Sequence, residues 1–208
     1  MSLDLFDTEA QLITIPLPGG DLQYAESVPL LGDPEALLRR LIIEIPWRQE
    51  TITVWGKSHP QPRLVAWFGD SRAPYTYSGI SLSALPWTPI LSGIKESVER
   101  LANNRFNSVL LNYYRDHRDS MGYHSDDEPE LGERPVIASL SLGAERPFVL
   151  KPKDGRISRP VKITLKSGSL LIMKGSTQKN WKHGIGKESR PCGPRVNLTF
   201  RQIMEARS

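Results

Sequence analysis

From about residue 105 onward, apolar and polar side chains alternate with a period of two, the mark of strands that turn one face to a core. Candidate strands cover residues 108–114, 136–142, 148–151, 161–164, 170–173 and 195–201, with two earlier ones at 51–55 and 63–67. Turn-forming pairs such as Asp154–Gly155 and Ser167–Gly168 separate some of them. Two segments instead carry apolar residues at helical spacing. In the first, Leu37, Leu38, Leu41, Ile42 and Ile45 share a face, Asp33 can cap the start, Pro34 suits the first turn and Pro46 ends it. In the second, residues 89–102, Ile90, Ile94, Val98 and Leu101 share a face, Thr88 can cap it, and Asn103 and Asn104 stop it. Short strands with helices grouped toward the N-terminus predict a mainly β fold with flanking α, a jelly-roll-like double sheet buttressed by helices. Residues 1–32 hold Pro16, Pro18, Gly19, Gly20, Pro29 and Gly32 and read as an extended arm with one strand at 11–15, ahead of a single domain over 33–208.

Composition narrows the class. A chain of 208 residues with 38% hydrophobic and 24% charged side chains can bury one sizeable core and is neither disordered nor membrane-embedded. No apolar run approaches the length of a spanning helix, and the N-terminus lacks the charged and apolar regions of a signal peptide. Cys192 is the single cysteine, which excludes an internal disulfide and a CxxC metal site. The expected location is therefore intracellular: cytoplasmic, or nuclear in a eukaryote. The formal charge, 27 − 23 = +4, permits a polyanionic partner without requiring one.

Two strands carry polar residues in an unusual pattern. In residues 195–201, Val196, Leu198 and Phe200 form an apolar face, while Arg195, Asn197, Thr199 and Arg201 form the other. In residues 108–114, Asn112 and Tyr114 share a face. These are either half-exposed edge strands or two walls of a cavity that takes a small acidic molecule, for which the arginine fork is the matching group.

Between those strands lies His124-Ser125-Asp126. On a strand or its end, positions i and i+2 point the same way, so imidazole and carboxylate can converge on one ion. His183 can complete a set of two histidines and one carboxylate, the facial triad of non-haem iron sites, which leaves coordination positions open. His-x-Asp alone is a weak signal. Followed by a histidine and then by a strand with two arginines, it supplies a metal site and a carboxylate anchor together. Zinc also accepts such ligands, but does not account for the arginines. Gly56-Lys57-Ser58 and His117-Arg118-Asp119 resemble fragments of a P-loop and a kinase catalytic loop, and both lack the partner residues those motifs need.

The blocks PRLVAWFGD, PYTYSG, FNSVLLNYYRD, HSDDEPELG, IASLSLGAERPF, LLIMKGSTQKNWKHGI and PRVNLTFR run from about Trp47 to Arg201. In them the chain resembles the AlkB-type Fe(II)/2-oxoglutarate-dependent alkylation-repair dioxygenases, above all the animal members that act on DNA. The resemblance implies a double-stranded β-helix, with nucleotide recognition over about 47–80 and a jelly-roll core over about 105–203. It implies that His124, Asp126 and His183 bind Fe(II), and that Asn112, Tyr114, Arg195, Asn197 and Arg201 hold 2-oxoglutarate. On the substrate side, Tyr77 and His124 would sandwich a flipped base, Tyr75 and Trp67 would stand nearby, and Asp127 would meet its exocyclic amine. Core packing is the alternative for Trp67 and Tyr77. Trp55, in Val54-Trp55-Gly56, stands where some members push an apolar finger into duplex DNA, with Trp in place of Phe; an exposed Trp55 is expected on that reading.

The implied activity is oxidative demethylation of N1-methyladenine and N3-methylcytosine in nucleic acid, chiefly in DNA repair. Oxygen and 2-oxoglutarate are consumed, and formaldehyde, succinate and carbon dioxide are released. The implied partner is alkylated DNA, with RNA as the second candidate, met by a monomer without a membrane. Competing readings are a related dioxygenase that hydroxylates a protein or small molecule, and a catalytically silent nucleic-acid-binding module on the same fold.

Overall fold

A computed structural model describes residues 10–30, 32–54, 57–70, 75–77, 80–82, 84–155 and 159–204; for residues 53, 54, 57, 75–77 and 80–82 it describes the backbone. Helix α1 spans Pro34–Glu44 and α2 spans Pro89–Ala102. Their ends follow the expected chemistry. The Asp33 carboxylate accepts from the Ala36 N–H at 2.9 Å, and the Thr88 hydroxyl accepts from the Leu91 N–H at 3.4 Å. Asn103 closes α2 in the left-handed region at φ 46°, a conformation asparagine tolerates better than most residues.

Eight strands form the centre: β8 (Ser108–Tyr114), β9 (Met121–His124), β10 (Ile137–Gly143), β11 (Arg146–Pro152), β12 (Val161–Leu165), β13 (Leu170–Lys174), β14 (Trp181–Ile185) and β15 (Arg195–Arg201). They divide between two antiparallel sheets with matching orders, β13-β10-β15-β8 and β12-β11-β14-β9. Along the chain the strands pass from one sheet to the other, save for the β11–β12 hairpin, which gives the double-stranded β-helix. The larger sheet gains three further strands, β1 (Ile13–Ile15), β2 (Asp21–Ala25) and β5 (Leu64–Gly69), for the order β1-β2-β13-β10-β15-β8-β5.

The segment read as an extended arm thus contributes two strands. β2 pairs with β13 from Leu170↔Ala25 to Lys174↔Asp21, and its Leu22 and Ala25 are fully buried. Pro18 and Gly19 make the turn between β1 and β2, closed by the Gly20 N–H on the Leu17 carbonyl at 2.9 Å, rather than ending the structured chain. Two small hairpins, β3 (Thr51–Val54) with β4 (Lys57–Pro60) and β6 (Tyr75–Tyr77) with β7 (Ile80–Leu82), stand apart from these sheets.

Each face of the larger sheet has its own core. On one side α1 and α2 place Leu37, Leu38, Leu41, Leu91, Ile94 and Val98 against Val109, Leu111, Leu140, Val196, Leu198 and Phe200. On the other, Leu110, Tyr114, Leu171 and Met173 meet Phe148, Leu150, Trp181 and Ile185 of the smaller sheet. Strand β15 lies between β10 and β8 with all seven residues buried, so it is a central strand and not a solvated edge. Its polar face therefore points between the sheets, where polar groups need partners.

Candidate metal and cosubstrate site

The two histidines arrive on neighbouring strands of the smaller sheet. β14 and β9 pair with His183 opposite His124, and the ring centroids lie 4.4 Å apart. A bulge follows, between His183 and Ile185. It requires Gly184, where a Cβ would come within 2.9 Å of the Met121 carbonyl oxygen. The chain beyond β9 is tied to the start of β14 and to the short helix before it. The Ser125 hydroxyl donates to the Trp181 carbonyl at 2.9 Å, and the Asp126 N–H donates to the Gln178 amide oxygen at 3.0 Å. Gln178 lies on the short helix α3 (Thr177–Asn180), just before the strand that carries His183.

The result is one donor cluster: an atom each from His124, Asp126 and His183, all within 4.8 Å of one another. Nε2 of His124 is 3.9 Å from Asp126 Oδ1, and Nε2 of His183 is 3.7 Å from Asp126 Oδ2. His124 Nδ1 lies 3.0 Å from the Gly122 carbonyl oxygen, which favours the proton on Nδ1 and leaves the Nε2 lone pair for a metal. Asp126 Oδ1 accepts from Arg201 Nη2 at 2.5 Å, whereas buried Oδ2 has no hydrogen-bond donor among the described residues.

Electrostatics set the protonation these ligands need. Burial would raise the Asp126 carboxyl, but the Arg201 guanidinium and the two imidazoles override it and hold the group down at about 2. Burial, reinforced by His124 and opposed by Asp126, pushes His183 down to about 3. His124 is lowered as well, by burial, against the pull of Asp126 and the Gly122 hydrogen bond. At neutral pH the cluster is one carboxylate and two neutral imidazoles, the state that binds a metal without first shedding protons.

A narrow chamber of about 400 Å³, including its open mouth, joins this cluster to the polar face of β15 and β8. Asn197 pairs with Asn112 and Arg195 with Tyr114 across the two strands. Asn112 Oδ1 accepts from Arg63 Nε at 2.7 Å. Asn197 donates to the Ser139 hydroxyl at 2.8 Å and accepts from Thr199 at 3.0 Å. Arg195 is 1% exposed, donates from Nη2 to the Ser141 hydroxyl at 2.9 Å, and lies 5.0 Å from the Tyr114 ring centroid. Its buried Nε and Nη1 have no hydrogen-bond partner among the described residues. A buried guanidinium with half its fork unused is the receptor a carboxylate fits, and the open Asp126 Oδ2 beside two imidazoles is the slot a divalent cation fits. Fe(II) and 2-oxoglutarate both match the donors present.

The two arginines of β15 thus occupy different ends of the chamber, Arg195 by Tyr114 and Arg201 at the metal cluster. Trp67 is 4% exposed and packs with Leu110 and Tyr114 between the sheets. Asp127 is an exposed residue whose carboxylate accepts from Lys153 Nζ at 2.8 Å. Trp55 lies outside the described residues, as do the side chains of Tyr75 and Tyr77, so the finger and base-stacking readings concern positions beyond this description. Arg63, Ser139, Ser141 and Gln178 were not foreseen. Ser139 and Ser141 were legible in principle, since they alternate with Leu140 and Leu142 as the polar residues of β15 do; the other two act through tertiary contacts alone.

Comparison with known proteins agrees with this geometry. The profile of the 2OG-Fe(II) oxygenase superfamily matches residues 33–201. Alpha-ketoglutarate-dependent dioxygenase alkB homolog 3 of Mus musculus is 45% identical over 181 residues, 83% of this chain and 63% of its own length. DNA oxidative demethylase ALKBH2 of Homo sapiens is 43% identical over 159 residues, 74% of this chain and 61% of its own. ALKBH2 of Arabidopsis thaliana is 36% identical over 211 residues, 89% of this chain and 67% of its own. The chain therefore spans about three fifths of the length of the mammalian relatives. The solved structure of OsALKBH1 superposes with a TM-score of 0.61 at 19% identity, over 90% of this chain and all of the other, which shows a shared fold. The chain belongs to the 2OG-Fe(II) oxygenase superfamily, in its AlkB branch. Fe(II) and 2-oxoglutarate are the cofactor and cosubstrate of that family.

Proposed function

We propose that this chain is an oxidative demethylase of N-alkylated bases in nucleic acid, chiefly DNA, with N1-methyladenine and N3-methylcytosine as substrates. The supporting observation is the placement of a neutral two-histidine, one-carboxylate cluster at one end of a buried chamber and an unsatisfied arginine fork in the same chamber. The names of the relatives, which include DNA oxidative demethylases, support the same reading.

On this reading His124, Asp126 and His183 hold Fe(II), and Arg195 receives the far carboxylate of 2-oxoglutarate, flanked by Tyr114, Asn112 and Asn197. Iron with 2-oxoglutarate and oxygen supplies the oxidising chemistry: decarboxylation to succinate and carbon dioxide, coupled to hydroxylation of the N-methyl group, which then leaves as formaldehyde. The chain's own part is geometric and electrostatic. Arg201 keeps Asp126 ionised and turns Oδ2 toward the imidazoles. Gln178 and Ser125 hold the His-x-Asp segment against β14. The apolar wall of Phe148, Met173 and Ile185 limits water around the cosubstrate. Trp55, Tyr75, Tyr77, Trp67 and Asp127 are assigned to the nucleotide side on the family resemblance.

The test is an oligonucleotide with a single N1-methyladenine, incubated with protein, Fe(II), 2-oxoglutarate and air, with mass spectrometry for the methyl group and a parallel measure of succinate. Loss of one methyl per succinate formed is expected. Succinate without methyl loss would redirect the activity to a protein or small-molecule substrate. Neither product, from folded and iron-loaded protein, would favour the silent binding module.

A further inference from the structure

Arg146, at the start of β11, is 0% exposed, and nothing in the reading above uses it. A buried guanidinium is costly unless its donors are satisfied and its charge is put to use. Its Nη donors are spread over two loops, while its buried Nε has no hydrogen-bond partner among the described residues. Nη1 donates to the Asp116 carbonyl at 3.3 Å, and Nη2 donates to the carbonyls of Asp119, at 2.9 Å, and Gly186. The first two belong to the β8–β9 loop and the third to the segment after β14. These loops also meet directly, through the Glu188 N–H and the His117 carbonyl at 2.8 Å. The nearest carboxylate, Glu188, is 3.9 Å from Nε and partly exposed, so it neutralises the charge only in part.

The guanidinium also lies 5.7 Å from the Tyr114 ring, and Arg195 lies 5.0 Å from that same ring. Tyr114 therefore has two buried cations against it, one with open donors in the chamber and one tied to the loops. The Arg146 charge adds to burial in lowering the Arg195 pKa, so the two cations feel each other. Two like charges that face one ring in a dry interior repel each other, and an incoming dianion relieves that repulsion.

We propose that Arg146 is a positioning residue for 2-oxoglutarate: it fixes Tyr114 and the two loops around the Arg195 end of the chamber, and it adds a second positive charge that favours a dicarboxylate over a monocarboxylate. This rests on the assignment of Tyr114 and Arg195 to 2-oxoglutarate.

The test uses full-length protein loaded with Mn(II), and measures equilibrium binding of 2-oxoglutarate and of 2-oxobutyrate, which lacks the distal carboxylate. Arg146→Gln is expected to weaken 2-oxoglutarate binding about tenfold or more, leave 2-oxobutyrate binding and Mn(II) affinity within about twofold, and so narrow the preference for the dicarboxylate. Arg146→Lys keeps the charge but not the fork and is expected to fall between. Equal losses for both acids and for Mn(II), or no loss at all, would overturn the proposal. Should neither variant fold, hydrogen exchange on the wild type decides: 2-oxoglutarate is expected to slow amide exchange in residues 115–120 and 186–188, and unchanged exchange in both loops would overturn it. Wild-type protein that does not bind 2-oxoglutarate would bring down the proposed function and this inference with it; wild-type binding with an indifferent variant would bring down this inference alone.

Discussion

Arg201 and Asp126 approach from opposite sheets and meet in a buried ion pair, Nη2 to Oδ1 at 2.5 Å. Arg201 ends β15, an interior strand of the larger sheet, and Asp126 follows the edge strand of the smaller one. One carboxylate oxygen is thereby committed to the protein, and the other is turned toward His183. Replacing Arg201 by Met leaves the Asp126 carboxylate without its cationic partner. Metal affinity should fall by about tenfold or more, as it does when an outer-shell partner is lost. Titration with Mn(II) checks this, and an unchanged affinity would mean that the pair serves the fold alone.

Acid should destabilise the metal-free protein through the same cluster. His183 and His124 have pKa values below the ordinary histidine value, His183 at about 3. From about pH 6.5 down toward 3 the unfolded chain takes up protons at these positions that the folded chain refuses. Stability is therefore complete above that window and declines as pH falls through it. Asp126, held at about 2, adds a further loss of the same sign below about pH 4. Thermal melts between pH 7.5 and 5 should show a falling Tm for the wild type and a flatter profile for His183→Gln. Equal slopes for the two would contradict the assignment of a buried neutral imidazole.

Arg195→Lys keeps a cation but loses the fork that faces the chamber. The expected result is a KM for 2-oxoglutarate raised about tenfold or more, with kcat at saturating cosubstrate much less affected. Steady-state succinate formation measures both. A variant with an unchanged KM would remove Arg195 from the cosubstrate site.

How much of this was visible in the sequence depended on whether the signal was local. The strand over residues 195–201 and the helix over 89–102 were legible to the residue, because one alternates cleanly and the other is bracketed by Thr88 and Asn103. Strand β2 was not, because Leu22, Tyr24 and Ala25 sit among glycines and prolines, and its place is fixed by pairing with β13, about 150 residues away. Strands β9 and β14 were missed for a related reason: Gly122 and Gly184 dilute the alternation, and Gly184 sits at the bulge where a Cβ would crowd the Met121 carbonyl. For the polar face of β15 the alternation alone allowed a solvated edge, and only the order of strands in the sheet decided for an interior wall. Arg146 and Gln178 gave no local signal, since their roles exist only once distant loops and strands are brought together.

The apolar face of β15 should carry stability without touching the chemistry. Leu198 is fully buried against the helices, on the opposite side of the strand from Arg195 and Asn197. Leu198→Ala should cost about 2–5 kcal/mol, by lost burial and the cavity left behind. That corresponds to a fall in Tm of several degrees for a chain of this size. Chemical denaturation checks the cost, while 2-oxoglutarate affinity below the melting range should be unchanged. A loss of cosubstrate affinity matching that of Arg195→Lys would show that the two faces are not independent.

The most direct test of the site is anaerobic binding of Fe(II) and 2-oxoglutarate to the wild type and to Asp126→Ala, followed by absorbance and by equilibrium dialysis of both ligands. The expected result is that the wild type takes up one iron and one 2-oxoglutarate together, with a new absorption band from their contact, and that Asp126→Ala, folded by circular dichroism, takes up neither tightly and shows no band. Iron retained by Asp126→Ala at wild-type affinity, or a wild type that binds iron and 2-oxoglutarate independently, would contradict a shared site in the chamber between the two sheets.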